Sequence, residues 1–282
     1  MKNLKIAIQK SGRLNEKSVE LLRNSGFAFD NYKSSLISTV SNFPLEILFL
    51  RDDDIPEYVQ EGIADLGIVG YNVIHEAGVQ VDHLLNLGFG KCSLKIAIPG
   101  HIYYENIQAL DGKSIATSYP KTLADFLKKQ NITCDIRVIS GSVEISTNLG
   151  LSDAICDIVS SGGTLKSNGL IPFITVLNSE AILIGNSNLD ITLIPEILQR
   201  IKSVLRARET KYVVLNIEKN NLESIIELLP GVKSPSIIPL VEEGWVAVHT
   251  VIPEQDFWER INKLKGAGAQ GIVVMAIEKI II

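Results

Sequence analysis

The stretch Glu144-Ile-Ser-Thr-Asn-Leu-Gly150-Leu-Ser-Asp153-Ala-Ile-Cys-Asp157-Ile-Val-Ser160-Ser161-Gly162-Gly163-Thr164-Leu165 concentrates the polar chemistry of this chain. Ala154 to Val159 is a short apolar run bounded by turn residues, which reads as a buried strand carrying Asp153 and Asp157 at its edge. The segment Ser160-Ser161-Gly162-Gly163-Thr164 follows it. Two glycines let the backbone turn its N–H groups inward and the hydroxyls add donors, so the loop has the makings of an anion nest at the end of a strand. A phosphate fits there if Thr164 opens the next helix. The carboxylates upstream suit sugar hydroxyls, or a divalent cation held through its waters. Together they suggest a sugar phosphate. The composition of the loop alone equally fits a Ser/Gly surface turn after a core strand.

Working outward, Leu4 to Ile8 reads as a first strand, followed by a loop and a helix that Gly26 ends, which is the opening of an α/β fold. Leu45 to Leu50 is a second strand. Asp52 to Asp54 before Ile55-Pro56 reads as an N-cap with proline at the helix start. Gly62 to Gly70 holds a glycine-bounded buried strand. Leu4-Lys5-Ile6-Ala7-Ile8 recurs letter for letter as Leu94-Lys95-Ile96-Ala97-Ile98, and Gly62-Ile63-Ala64-Asp65 echoes Gly150-Leu151-Ser152-Asp153. Two echoes in the same order argue for two similar α/β lobes around a cleft. Ala181 to Gly185 and the helical stretch Ile191 to Glu209 then return to the first lobe. From Lys211 the order becomes βαββαβ, a ferredoxin-like plan and a separate small domain. Its Gly266-to-Gly271 run matches a dinucleotide fingerprint, but it follows a helix and precedes a strand, so it reads as a helix-ending turn.

With 282 residues, 46% of them hydrophobic, the chain is long enough for more than one domain. Its 27 basic and 32 acidic residues leave a net charge of −5, which offers no positive field for nucleic acid. Cys92, Cys134 and Cys156 stand far apart and outside any metal spacing, so each reads as a small core residue in a reducing compartment. The N-terminus enters a strand pattern without an apolar leader and no run reaches spanning length, so the expectation is a cytoplasmic protein with no membrane partner. His75, His83, His101 and His249 are scattered and read as structural or surface residues. Trp245 and Trp258 read as core of the small domain.

The long stretch resembles the signature of the ATP phosphoribosyltransferase family, with Glu144, Gly150, Ser152, Ile155, Asp157, Ile158, Ser161, Gly162, Thr164 and Leu165 at the motif's spacing. Lys10-Ser11-Gly12-Arg13-Leu14 and Arg51 also match it. Ser234-Pro235-Ser236-Ile237, Gly244 to Val248 and Lys265 to Ala269 are similar to the C-terminal module of its long form. The resemblance implies a two-lobed, periplasmic-binding-protein-like catalytic region plus a ferredoxin-like regulatory domain. The lobes are then 1–90 with 180–209, and 91–179, and the small domain is 210–282.

In chemical terms, the resemblance implies that phosphoribosyl pyrophosphate is attacked at its anomeric carbon by N1 of ATP, with Mg²⁺ present and pyrophosphate released. It places Ser160, Ser161, Gly162, Gly163 and Thr164 on the 5-phosphate and Asp153 and Asp157 near the ribose. Lys10, Gly12, Arg13 and Arg51 fall on the pyrophosphate side, and Thr117 and Tyr119 in the cleft. Ser118 stands where the family commonly has glutamate. An L-histidine inhibitor site falls on Glu218, Val232, Ser236 and Gly271, and a homo-oligomer, dimer and hexamer, is implied. Two rivals remain at this point. One is a two-lobed binding protein; the other is a phosphoribosyltransferase for free bases, though those commonly carry adjacent acids, whereas Asp153 and Asp157 lie four apart.

Overall fold

A computed structural model describes residues 3–30, 35–160, 162–188, 193–229, 231 and 234–281. The chain divides into two compact units, Met1–Glu20 with Phe27–Asp190, and Leu21–Gly26 with Ile191–Ile282.

The first unit opens with β1 (Leu4–Gln9), in which Ile6, Ala7 and Ile8 are all fully buried. A strand buried on both faces belongs inside a parallel sheet. After α1 (Arg13–Asn24) come β2 (Ile37–Thr39), β3 (Leu45–Leu50), α2 (Ile55–Gln60), β4 (Leu66–Gly70), α3 (Tyr71–Ala77) and β5 (Asp82–Asn86). Gly67 on β4 lets α2 approach closely: a Cβ there would stand 2.8 Å from the Ile55 side chain. The chain then builds β6 (Cys92–Pro99), β7 (Ser114–Thr117), α4 (Pro120–Lys129), β8 (Asp135–Val138), β9 (Ala154–Val159), α5 (Gly163–Ser167) and β10 (Leu170–Ser179) before β11 (Ala181–Gly185).

These strands make two sheets, ordered β2-β3-β1-β4-β11-β5 and β10-β6-β9-β7-β8. Read in matching directions, β3-β1-β4-β11-β5 corresponds to β8-β7-β9-β6-β10, and every pairing has the same sense. The first two pairings are parallel in each sheet. The last two are antiparallel in each. The two-lobed, periplasmic-binding-protein-like plan is therefore the observed one. Two chain crossings join the lobes, after β5 and after β10, and they bond to each other through Leu87 N to Ala181 O (3.0 Å) and Ala181 N to Phe89 O (2.8 Å).

The two sequence echoes differ in worth. Leu4–Ile8 lies in β1 and Leu94–Ile98 in β6, yet β6 corresponds to β11 and β1 to β7, so the letter-for-letter match joins strands that are not equivalent. The weaker echo is the structural one. Asp65 Oδ2 accepts the Lys5 amide at 2.7 Å, just before β4, and Asp153 Oδ2 accepts the Ser114 amide at 2.8 Å, just before β9. Each aspartate fastens the start of its strand to the neighbouring parallel strand.

The second unit holds α6 (Ile194–Glu209), which the sequence assigned to the first lobe, followed by β12 (Thr210–Glu218), α7 (Leu222–Leu228), β13 (Ser236–Pro239), β14 (Trp245–Pro253), α8 (Glu254–Gly266) and β15 (Gln270–Ala276). The four strands form one antiparallel sheet in the order β13-β14-β12-β15, the ferredoxin-like arrangement. Val213, Leu215 and Ile217 on one face pack with Ile225 of α7 and Phe257 and Leu264 of α8. Gly268, at φ +96°, turns the chain out of α8 into β15, so the glycine run is a helix-ending turn. Trp258 corrects an expectation: it is 66% exposed and does not join this core.

Candidate active site

The second lobe's chemistry collects at the carboxyl ends of β7 and β9, which run parallel with Thr117 beside Cys156. That is the edge where open α/β sheets bind ligands. Along β9 the alternation places Ile155 and Val159 in the cluster with Leu165 of α5, and Cys156 and Ile158 in the cluster with Leu123 of α4. Asp157 lies on the Ile155 face and is half-buried. Burial pushes its carboxyl above the ordinary aspartate range; the Ile158 amide, donating to Oδ1 at 2.7 Å, opposes this, and the Glu144 charge adds to it.

The segment after β9 turns at Gly162, whose φ of +75° favours glycine. Gly162 is the N-cap of α5 and brings no side chain to its first amides, so those N–H groups are open to an anion. Ser160, Gly163 and Thr164 are exposed; Ser161 lies outside the described residues. A recess of ≈ 700 Å³ opens beside Ser160 and Val159, lined by Lys91, Lys95, Ser93 and Tyr71. Lys95 pairs across the sheet with Asp157, so the two side chains share a face.

Next to the loop, buried Thr117 accepts the Tyr119 amide through Oγ1 at 2.9 Å. The Tyr119 hydroxyl receives the Asn72 side-chain amide of the first lobe at 3.4 Å. Its pKa is pushed up to about 12, chiefly by burial and next by the Asp157 charge, with the Asn72 bond opposing and Asp52 and Asp53 adding. Ser118, where the sequence departs from the family pattern, donates to the Ile139 carbonyl at 2.6 Å and so serves the fold.

In the first lobe Lys10 and Arg51 follow adjacent parallel strands, and the Lys10 amide donates to the Leu50 carbonyl at 2.7 Å. Gly12 turns at φ +88° and Arg13 opens α1. All four are exposed at that sheet's carboxyl edge. The acidic turn Asp52–Asp54 precedes α2, but Asp54 at the N-cap makes no side-chain capping bond, which corrects the capping expectation. Burial, then the Asp52 and Asp54 charges, raise the Asp53 carboxyl.

Two groups of expected residues do not assemble. Asp153 stands at the opposite end of β9 from the loop, roughly 20 Å away for a strand of this length; the Ser114 amide and hydroxyl hold its carboxylate at 2.8 and 2.7 Å, so it fastens β9 to β7 and stands apart from the loop. In the small domain Ser236 starts β13 on one edge of the sheet, Gly271 lies on β15 at the other edge, and Glu218 ends β12. Three interstrand steps, roughly 14 Å, separate the edges, so these residues do not form one pocket within a chain. Val232 lies outside the described residues.

A family model described as ATP phosphoribosyltransferase (HisG) matches residues 51–203, and that of the HisG C-terminal domain matches 207–279. The ATP phosphoribosyltransferase of Cytophaga hutchinsonii is 50% identical over 99% of this chain and 98% of its own length. The chain belongs to the ATP phosphoribosyltransferase family. The Bacteroides thetaiotaomicron ATP phosphoribosyltransferase is likewise 50% identical, across its full length. The solved ATP phosphoribosyl transferase (HisG:HisZ) complex from Thermotoga maritima superposes with TM-score 0.60 at 27% identity, covering 71% of this chain and 98% of that one.

As an ATP phosphoribosyltransferase of histidine biosynthesis, the chain transfers the phosphoribosyl group of phosphoribosyl pyrophosphate to N1 of ATP and releases pyrophosphate. The family assignment removes both rivals. Sequence reasoning singled out neither Asn72, which bonds Tyr119, nor Lys95, which pairs with Asp157. Asn72 was within its reach, since it stands two residues past the end of β4 on the same sheet edge that singled out Lys10 and Arg51.

Proposed function

We propose that phosphoribosyl pyrophosphate lies with its 5-phosphate on Ser160 to Thr164, its ribose beside Asp157, and its pyrophosphate toward Lys10, Gly12, Arg13 and Arg51. The observation carrying this is the shared ending of β7 and β9, which brings Thr117, Tyr119, Asp157 and the glycine loop to one edge. ATP takes the recess at Ser160, where Lys91 and Lys95 supply charge for its phosphates and a volume of ≈ 700 Å³ suits a nucleotide.

N1 of ATP is already an unprotonated nucleophile, so the chain need supply no general base. As the leaving group departs, positive charge grows on the ribose, and the Asp157 carboxylate beside it offsets that charge. Lys10, Arg13 and Arg51 neutralise the departing pyrophosphate.

Mg²⁺ fits as an ion that keeps several waters and is held by substrate phosphates with one or two carboxylates. No cluster of three metal-ligating side chains forms among the described residues. Among the described residues Asp157 accepts the Ile158 amide on Oδ1 and no bond on Oδ2, and the acidic turn at Asp52–Asp54, with no residue buried, supplies further oxygen. When bound, Mg²⁺ would supply charge neutralisation at the pyrophosphate.

The small domain, which lacks the phosphate chemistry, binds L-histidine as feedback inhibitor in this reading, and the chains assemble as a homo-oligomer, dimer or hexamer, in the cytoplasm. No helix among the described residues is long and apolar enough to cross a membrane.

The test is to incubate the protein with phosphoribosyl pyrophosphate, Mg²⁺ and ATP and follow the ultraviolet change of product formation, with pyrophosphate as inhibitor. Arg13→Ala should weaken pyrophosphate inhibition together with substrate use; unchanged pyrophosphate affinity overturns the placement. For regulation, histidine is titrated by calorimetry into the intact protein and into a Ser236→Tyr variant, where undiminished binding removes the β13 edge from the site. Activity indifferent to histidine in the wild type sinks that part.

A further inference from the structure

The hinge side of the cleft carries a hydrogen-bonded relay that the reaction's known requirements do not call for. Ser179, the last residue of β10, stands at a crossing between the lobes and is buried. Its Oγ accepts the Asn72 backbone amide at 3.0 Å and donates to Asn72 Oδ1 at 2.8 Å. The neighbouring Tyr71 amide donates to the Glu180 carbonyl at 3.0 Å, so the start of α3 is fastened to this crossing at two successive residues. With Oδ1 engaged, the Asn72 side chain has one orientation, and its Nδ2 donates to the Tyr119 hydroxyl oxygen at 3.4 Å.

An amide nitrogen donates and never accepts, whereas a phenol both accepts and donates. Because Asn72 satisfies the phenol oxygen as acceptor, the Tyr119 hydrogen is directed elsewhere, and no protein acceptor takes it among the described residues' bonds. The Tyr119 ring is packed against the second lobe's core, which removes rotational freedom from the group. The phenol therefore has a hydrogen to give near the sheet edge where β7 and β9 end.

We propose that Asn72 is a positioning residue for phosphoribosyl transfer: clamped by Ser179, it holds the Tyr119 hydroxyl as a hydrogen-bond donor to an oxygen of phosphoribosyl pyrophosphate. This rests on the reading above that phosphoribosyl pyrophosphate binds at the sheet edge where Tyr119 stands. Asn72 touches no substrate in this arrangement. It sets which way one hydrogen points.

The experiment is a double-mutant cycle on the full chain, measuring kcat and KM for phosphoribosyl pyrophosphate and the melting temperature of each variant. Asn72→Asp keeps the shape and the Ser179 bond but replaces the donor with a carboxylate, which captures the phenol hydrogen. Tyr119→Phe removes the hydroxyl. Each should lower kcat/KM by about tenfold, the scale of one lost hydrogen bond to a charged substrate. The double variant should be within about twofold of the worse single one, since only one hydrogen is at stake. A merely structural role for Asn72 predicts effects that multiply.

Wild-type kinetics in Tyr119→Phe overturn the placement of Tyr119, and the inference with it. Impaired Tyr119→Phe beside wild-type Asn72→Asp, or multiplying losses in the double variant, leaves that placement standing and overturns the positioning role. Should Asn72→Asp fail to fold, Ser179→Ala replaces it in the cycle: freeing the amide should lower kcat/KM severalfold in wild type and not at all in Tyr119→Phe, and any other pattern overturns the role.

Discussion

The carboxylate of Glu76 caps a helix of the other lobe: its Oε2 accepts both the amide and the hydroxyl of Thr122 at 2.8 Å, while Oε1 accepts the Lys121 amide at 2.9 Å. Tyr119, the N-cap of α4, supplies no side-chain bond to these groups. Glu76 thus does from α3 what a local Ser or Asp ordinarily does. His75 Nδ1 lies 3.1 Å from the same Thr122 hydroxyl.

Replacing Glu76 with Ala should lower stability by about 1–2 kcal/mol, the usual worth of an N-cap. Glu76→Gln should recover part of this, because its amide oxygen still accepts. Chemical denaturation of the three proteins checks the order, and equal midpoints would remove the cap from the account.

Asp153 should behave as a fold residue. The Ser114 amide, then the Ser114 hydroxyl, hold its carboxyl below the ordinary aspartate range. A folded pKa below the unfolded one adds stability that is complete above the unfolded value, about 4, and is lost as pH falls through the folded value. Asp153→Asn should therefore narrow the gap to wild type on acidification below about pH 4. At pH 7 the loss should be on the order of 1 kcal/mol, with kcat unchanged in the folded protein. A large fall in kcat would return Asp153 to the ribose.

Asp157 should behave in the opposite way. Burial raises its carboxyl, so the folded state holds a proton more tightly than the unfolded chain, and stability falls as pH rises from about 4 through the folded pKa. Asp157→Asn should melt higher than wild type at pH 7.5, and the difference should vanish in acid. Turnover should drop at the same time, the trade expected where a site keeps an unsolvated charge for its substrate. Melting curves across pH, with kcat beside them, read both effects.

The loop separates backbone from side-chain contributions. A Cβ on Gly162 meets nothing nearer than 4.0 Å, so Gly162→Ala acts through its φ of +75°, at a cost of about 1–2 kcal/mol. Thr164 is exposed, so Thr164→Ala should leave the melting temperature alone and raise KM for phosphoribosyl pyrophosphate about tenfold or more. Unchanged KM in both folded variants would detach the loop from the phosphate.

The strands and the small domain's order were legible because apolar runs and turn residues mark them directly. The lobe correspondence was only half legible. The five-letter identity between β1 and β6 reflects two strands buried on both faces, which draw on the same few residues, while the true counterpart is marked by one aspartate in each lobe. Which end of β9 Asp153 occupies is fixed by whom it bonds, and Ser114 is 39 residues away. Glu76 and Thr122 are 46 apart and share no local pattern. Trp258 looked like core because its type favours burial, yet α8 turns it outward.

The place of β11 in the first sheet also orders events during synthesis. Among the described residues strand β5 pairs only with β11, and β11 also pairs with β4, but the whole second lobe is made in between. The second lobe is one uninterrupted segment and has every strand of its sheet once β10 leaves the ribosome. The first lobe, begun earlier, waits with β5 unpaired until Ala181–Gly185 emerges, so the part of the protein started first is the part finished later.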